Sequence, residues 1–301
     1  MNGASFKQLE AFYWAGTCDS FAIAAEKLHI SQSSFSKRLG ELEARVGRPL
    51  FDRTGRRAVL TAHGAALLPQ VRSLLNQADE LAARMGGDST VRGRCRFGVG
   101  EIAASSWLPK LVSCLRERCP ELTLEPYVDL GMELEAKVIS GKLDAAMIGR
   151  KSTHPSLDSV LLAEVEYVWV AAPAMVKEGR MAEEMVQDVP VVSMSRHAGS
   201  TRILDAWRQE SRAVVVDLVE SNSIVTMAGL VSAGLAIGYL PRGWLRPLLR
   251  KRVLKIVPSQ TPLMALDYRF HWRIDDTRPL IAKLKDVALE VVDYRTPLLM
   301  L

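Results

Sequence analysis

The sequence predicts an α/β chain led by a small, mainly α winged helix-turn-helix domain. Three observations predict it. Two short helical patterns meet at a tight turn around Ile30, and an arginine-tipped hairpin pattern follows at Leu50–Thr61. Beyond Gly87, strand and helix patterns alternate to the end of the chain.

In the first helix Phe6, Leu9, Tyr13 and Gly16 recur at helical spacing and define one face. Ser20 is placed to cap a second helix, in which Phe21, Ala25 and Leu28 share a face. The turn His29-Ile30-Ser31 leads into a third helix, capped by Ser31. At about 100° per residue, Phe35, Leu39, Leu42 and Val46 form its buried stripe, and Ser33, Ser36, Lys37 and Gly40 lie away from it. A small, polar, basic outer face suits a DNA major groove. Hydroxyls permit close approach, Lys37 and Arg38 supply charge, and Gln32 has the amide geometry that reads adenine. The helix start, at Ser31, presents a positive dipole end to phosphate. In the hairpin, Thr54-Gly55 makes the turn, and Arg53, Arg56 and Arg57 suit backbone or minor-groove contact.

Composition agrees. Net charge is +5, yet Lys37–Arg57 alone holds seven basic residues against three acids. Hydrophobic residues make up 48% and charged residues 24%, an ordinary globular balance. The most apolar stretch, Ile224–Leu240, is too short and too interrupted to span a bilayer, and the N-terminus lacks the pattern of a secretion signal, so a cytoplasmic location without membrane contact is expected. The five histidines lack metal-ligand spacing, Gly98-Val99-Gly100 lacks the third glycine of a dinucleotide fingerprint, and no nucleophile elbow occurs. Neither metal, cofactor nor catalysis is expected. Cys18, Cys95, Cys114 and Cys119 form no Cys-x-x-Cys pair and read as free thiols, with a redox sensor as the alternative.

Taken together, Ala24-Ala25-Glu26-Lys27-Leu28-His29-Ile30-Ser31-Gln32, Ser36, Leu42-Glu43, Gly47, Pro49-Leu50-Phe51, Arg53, Leu60-Thr61 and Gly64 resemble the N-terminal domain of LysR-type transcriptional regulators. The chain departs from that pattern at Ser33-Ser34-Phe35. From Ala65, Leu68, Val71, Leu75, Ala78, Ala82 and Met85 repeat at coiled-coil spacing beside a stripe of Leu67, Leu74 and Leu81. In the resembled family this helix joins two subunits, and dimers pair into tetramers.

Strands are predicted at Arg96–Gly100, Leu122–Val128, Ala145–Ile148, Tyr167–Ala171, Val189–Ser193, Val214–Val219, Ala236–Tyr239, Val253–Val257 and Asp267–Phe270. Helices are predicted at Leu108–Cys119, Leu134–Ser140, Thr201–Ser211, Ile224–Ala233 and Pro279–Val292. The stretches Leu134–Asp144 and Leu230–Pro241 resemble the family's effector domain, which implies two Rossmann-like subdomains arranged like a periplasmic binding protein. The expected organisation is residues 1–64 for the DNA-binding domain, 65–87 for the connecting helix and 91–301 for the effector domain. Subdomain I would take 91–163 and 266–301, and subdomain II 164–265.

Ligand sites in such folds lie at strand C-terminal ends. That selects Gly100 and Glu101, Gly131, and Ser200 with Thr201, with Arg150 as the countercharge for an organic acid. Gly131 stands where the family commonly has Ser or Thr. The resemblance implies double-stranded operator DNA and a small-molecule effector as partners, RNA polymerase as a further one, and a homodimer or homotetramer. The alternatives are a redox-responsive regulator sensing through Cys114 or Cys119, and a cleft enzyme or solute-binding protein with a vestigial DNA domain.

Overall fold

The structure is a computed structural model describing residues 3–55, 57–84, 91 and 93–295. Its N-terminal part packs α1 (Phe6–Thr17), α2 (Phe21–Lys27) and α3 (Gln32–Val46) against the two-stranded wing β1 (Phe51–Asp52) and β2 (Val59–Leu60). Both expected caps form. Ser20 accepts from the Ile23 amide and Ser31 from the Ser34 amide. α3 stops at Gly47, whose φ of +71° is a left-handed conformation that favours glycine. Phe35, Leu39 and Leu42 are fully buried, as their phasing requires. α1 departs from expectation. Phe6 is half exposed, while Ala11, Phe12, Tyr13, Trp14 and Ala15 are all buried. The helix is central, with α2, α3 and α4 (Ala62–Arg84) against it, so one stripe does not describe it.

α4 packs part of the expected seam against its own domain. Leu68, Val71 and Leu75 pack into the core of the N-terminal domain itself, and so does Leu67. Leu74 alone among the described leucines of this helix stays largely exposed. The continuation through Leu81, Ala82 and Met85 lies outside the described side chains.

The remainder forms two five-stranded sheets. The first has the order β4 (Leu122–Val128), β3 (Gly93–Val99), β5 (Ala145–Ile148), β12 (Leu266–Arg273) and β6 (Leu157–Val165). β3, β4 and β5 run parallel, and β12 returns antiparallel. The second has the order β11 (Lys255–Ile256), β7 (Tyr167–Ala171), β10 (Ile237–Pro241), β8 (Val191–Met194) and β9 (Leu218–Ser221). The central strands β5, β7, β8 and β10 are buried throughout, because α5 (Glu101–Ala104), α6 (Leu108–Arg118), α7 (Gly131–Ile139), α8 (Ala182–Met185), α9 (Thr201–Ser211), α10 (Ile224–Ser232), α11 (Arg246–Arg250) and α12 (Pro279–Val291) cover the sheets. β6 has no clear sequence signal. It is an edge strand whose accessibility along Leu157–Val165 does not alternate cleanly. The chain passes between sheets directly after β6 and again before β12. There the Tyr167 and Tyr268 hydroxyls meet at 3.0 Å in a buried contact.

The N-terminal domain rests on the first sheet through charged side chains. Asp144 Oδ1 accepts from Lys27 Nζ at 2.6 Å and from Arg278 Nη2 at 2.5 Å, and its Oδ2 accepts from the Arg96 amide at 2.7 Å. The Lys27 and Asp144 side chains are 4% and 5% exposed. Burial alone would raise the Asp144 carboxyl, but the charges of Arg278 and Lys27 outweigh it and hold the group well below the ordinary range. The Trp14 ring lies beneath both cations, 4.9 Å from Lys27 Nζ and 5.0 Å from the Arg278 guanidinium. Arg96 bridges Glu26 and Glu125. The Tyr13 hydroxyl donates to the Asp275 carbonyl, Arg273 to that of Thr17 and Arg72 to that of Ile274.

Candidate functional site

Two surfaces carry the candidate residues. On α3, Ser31, Gln32, Ser33, Ser36 and Lys37 are exposed along one side, and Arg38 is half-buried at its flank. The docking on the first sheet uses α1, α2 and α4, so it leaves this face open. The Ser31 hydroxyl is partly occupied, since it caps the helix and bonds the Ser33 and Ser34 hydroxyls.

Glu43 places the wing beside this helix. Its Oε1 accepts from the amides of Leu50 and Phe51, and its Oε2 from Arg53. Asp52 accepts from the Thr54 amide and hydroxyl, which closes the wing turn and lowers the Asp52 pKa. Arg53 and Arg57 are exposed, and Arg56 lies outside the described residues. A basic, small-residue helix face beside an arginine-tipped wing can engage base edges and phosphates together.

The second surface is a cavity of about 330 Å³ between the two sheets. Gly100, Glu101, Gly131 and Ser200 line it, from loops that leave β3, β4 and β8. The structure does not bring Arg150 and Thr201 there. They line a neighbouring cavity of about 360 Å³ with Arg196, Arg202 and Arg208. Arg150 faces Glu135 at 3.3 Å, and the Thr201 hydroxyl donates to the carbonyls of Ser195 and Ala198. Gly149 and Gly199 form the contact beside these cavities. A Cβ on Gly199 would lie 2.2 Å from the Gly149 carbonyl oxygen, so only glycine permits this approach.

Sequence reasoning missed several lining residues. Asp129 and Leu130 follow β4, Asn222 and Ser223 follow β9, and Leu266 and Tyr268 come from β12. Ser223 had a readable signal as the cap before an apolar helix, and it does accept from the Thr226 amide. Leu266 and Tyr268 reach the cavity only through the chain's return to the first sheet, which no local pattern announces.

Glu101 joins the two sides. Its Oε1 accepts from the Ser223 hydroxyl at 2.9 Å and its Oε2 from the Ile224 amide at 2.6 Å. A carboxylate from the first sheet thus sits on the N-terminus of α10, in the second. None of the four cysteines lines the cavity. Burial pushes the Cys18 and Cys95 thiols up, away from thiolate character. Among the described residues no group of three or more His, Cys, Asp or Glu side chains could hold a metal ion, and no helix is long and apolar enough to cross a membrane.

Residues 6–65 match the family described as "Bacterial regulatory helix-turn-helix protein, lysR family", and residues 88–293 match "LysR substrate binding domain". A "Hca operon transcriptional activator HcaR" of Escherichia coli is 28% identical over 91% of this chain and 94% of its own length. A "Probable hydrogen peroxide-inducible genes activator" of Mycobacterium avium is 28% identical over 78% of this chain and 76% of its own. Among solved structures, ArgP from Mycobacterium tuberculosis superposes with a TM-score of 0.65 at 19% identity, covering 97% of both chains. Full-length BenM gives 0.55 at 20% identity, covering 95% of this chain and 96% of that one. These two likenesses are of fold.

Proposed function

The chain belongs to the LysR family of DNA-binding transcriptional regulators, and from that premise we propose that α3 and the wing read an operator whose occupancy responds to a small molecule held between the two sheets. The observation that carries this reading is the open face of α3. Gln32, Ser33, Ser36 and Lys37 stand exposed, while the opposite side of the same domain is spent on the first sheet. Gln32 and Ser33 would contact base edges. Lys37 would join them at base edges, Arg38, Arg53, Arg56 and Arg57 would contact phosphates, and Ser31 and Ser36 stand at the margin. Gly100, Glu101, Gly131 and Ser200 would surround the small molecule.

A regulator of this design works as a dimer or tetramer in the cytoplasm, without catalysis of its own, and meets RNA polymerase at the promoter. Leu74 offers the exposed apolar position for a partner helix. The domain organisation proposed is the one drawn from the sequence: residues 1–64, 65–87 and 91–301, the last split between the two sheets.

Redox sensing draws support from the mycobacterial relatives' names. Against it, Cys114 is half-buried on α6 and Cys119 is buried at its end, both away from the cavity lining. Selection of bound duplexes from a random pool by the full chain tests the proposal. One recurring, partly palindromic motif is expected, and a pool without enrichment overturns it.

A further inference from the structure

The expectation of an organic acid depends on a cation in the cavity between the sheets, and Arg150 is turned away from it. The lining carries two carboxylates, Glu101 and Asp129, and no lysine, arginine or histidine. One helix N-terminus at the cavity, that of α10, is already filled by Glu101. At that terminus an anionic ligand would have to displace the carboxylate, and no cation on the lining would receive it.

The two acids are also underused as acceptors. A carboxylate offers about four lone-pair sites. Glu101 uses one on each oxygen, for Ser223 and Ile224, and Asp129 one on each, for the Leu130 amide and Lys137 Nζ. Each therefore keeps capacity for further donors at the cavity wall. An ammonium group, with three donors and a positive charge, matches that capacity. Ile102, Leu130, Ile148 and Leu266 supply an apolar wall for its carbon skeleton.

We propose that this cavity selects a small ammonium-bearing compound over a carboxylic acid, and that Glu101 and Asp129 set the preference. The inference rests on the reading of the cavity as the effector site. Glu101 stands in for the ligand carboxylate and leaves the remaining space to a cation.

The test uses the full chain with three probes that share one ring and differ in charge: benzylamine, benzyl alcohol and benzoate. Binding is followed by titration and by hydrogen exchange at residues 129–134 and 223–227. Benzylamine should bind about tenfold or more tighter than benzoate, the scale of one partly screened charge contact. Glu101→Gln can keep both hydrogen bonds, accepting from the Ile224 amide and donating to the Ser223 hydroxyl oxygen, while removing the charge. It should shrink the gap, and so should Asp129→Asn. An unchanged exchange pattern in β12 of the unliganded variants verifies that they are folded. Benzoate binding as tightly as benzylamine, or a gap unmoved in both variants, overturns the proposal while leaving the cavity as a binding site. Failure of all three probes to protect either segment overturns the cavity reading itself, and the proposal with it.

Discussion

Asp144→Asn is the substitution that the docking of the two halves makes most consequential. The carboxylate accepts from Lys27, Arg278 and the Arg96 amide, and both it and Lys27 are almost wholly shielded from water. Removing its charge strands Lys27 on the Trp14 ring, while Arg278 keeps Asp276 as a counter-ion. Breaking one side of a buried pair costs about 3–5 kcal/mol, whereas an exposed pair is worth at most about 1 kcal/mol. Asp144→Asn should fall in the first range, read as lost stability in urea unfolding and as faster amide exchange in residues 12–18. Lys27→Met in the same chain removes the stranded cation, so the double variant should lose less than the two single losses combined. The carboxyl is lowered in the folded state, so its contribution is complete above its unfolded pKa of about 3.9 and is lost as pH falls below that value. A cost under about 1 kcal/mol, or strictly additive variants, would refute the argument that this interface is a buried charge network.

Three other substitutions separate the roles assigned above. Lys37→Ala should weaken binding to the selected operator more than to random duplex, while Arg53→Ala should weaken both alike, as gel-shift titration would reveal. Leu74→Asp should dissociate the oligomer in sedimentation without unfolding the N-terminal core, because Leu74 is exposed whereas Leu75 packs into that core. Gly199→Ala should push its loop off Gly149 and cost about 1–3 kcal/mol in thermal unfolding, since the added Cβ meets a backbone oxygen.

Local chemistry made much of the fold legible. Ser20 and Ser31 announce helix starts, the spacing of Phe35, Leu39 and Leu42 fixes which side of α3 is buried, and continuous apolar runs such as Ala145–Ile148 mark buried parallel strands. What stayed hidden is set by distant partners. Lys27 and Asp144 lie 117 residues apart, and a helix-surface lysine looks the same whether it meets water or a buried carboxylate. Leu68, Val71 and Leu75 have coiled-coil spacing, yet the nearest apolar surface is their own domain. Arg150 follows a strand end, as a ligand-binding arginine would, but Glu135 turns it aside. Glu101 was legible as a candidate, while its partners Ser223 and Ile224 became visible only once the second sheet closed over it.

Operator affinity against salt concentration, measured by fluorescence anisotropy with the full chain on the selected duplex and on a scrambled one, shows whether α3 and the wing hold operator DNA. If α3 and the wing of two subunits neutralise roughly six to ten phosphates, affinity should fall about 10³–10⁵-fold between about 50 and 200 mM salt, with the selected duplex bound more tightly throughout. A flat salt response, or equal affinity for the scrambled duplex, would contradict the assignment of this surface to operator DNA.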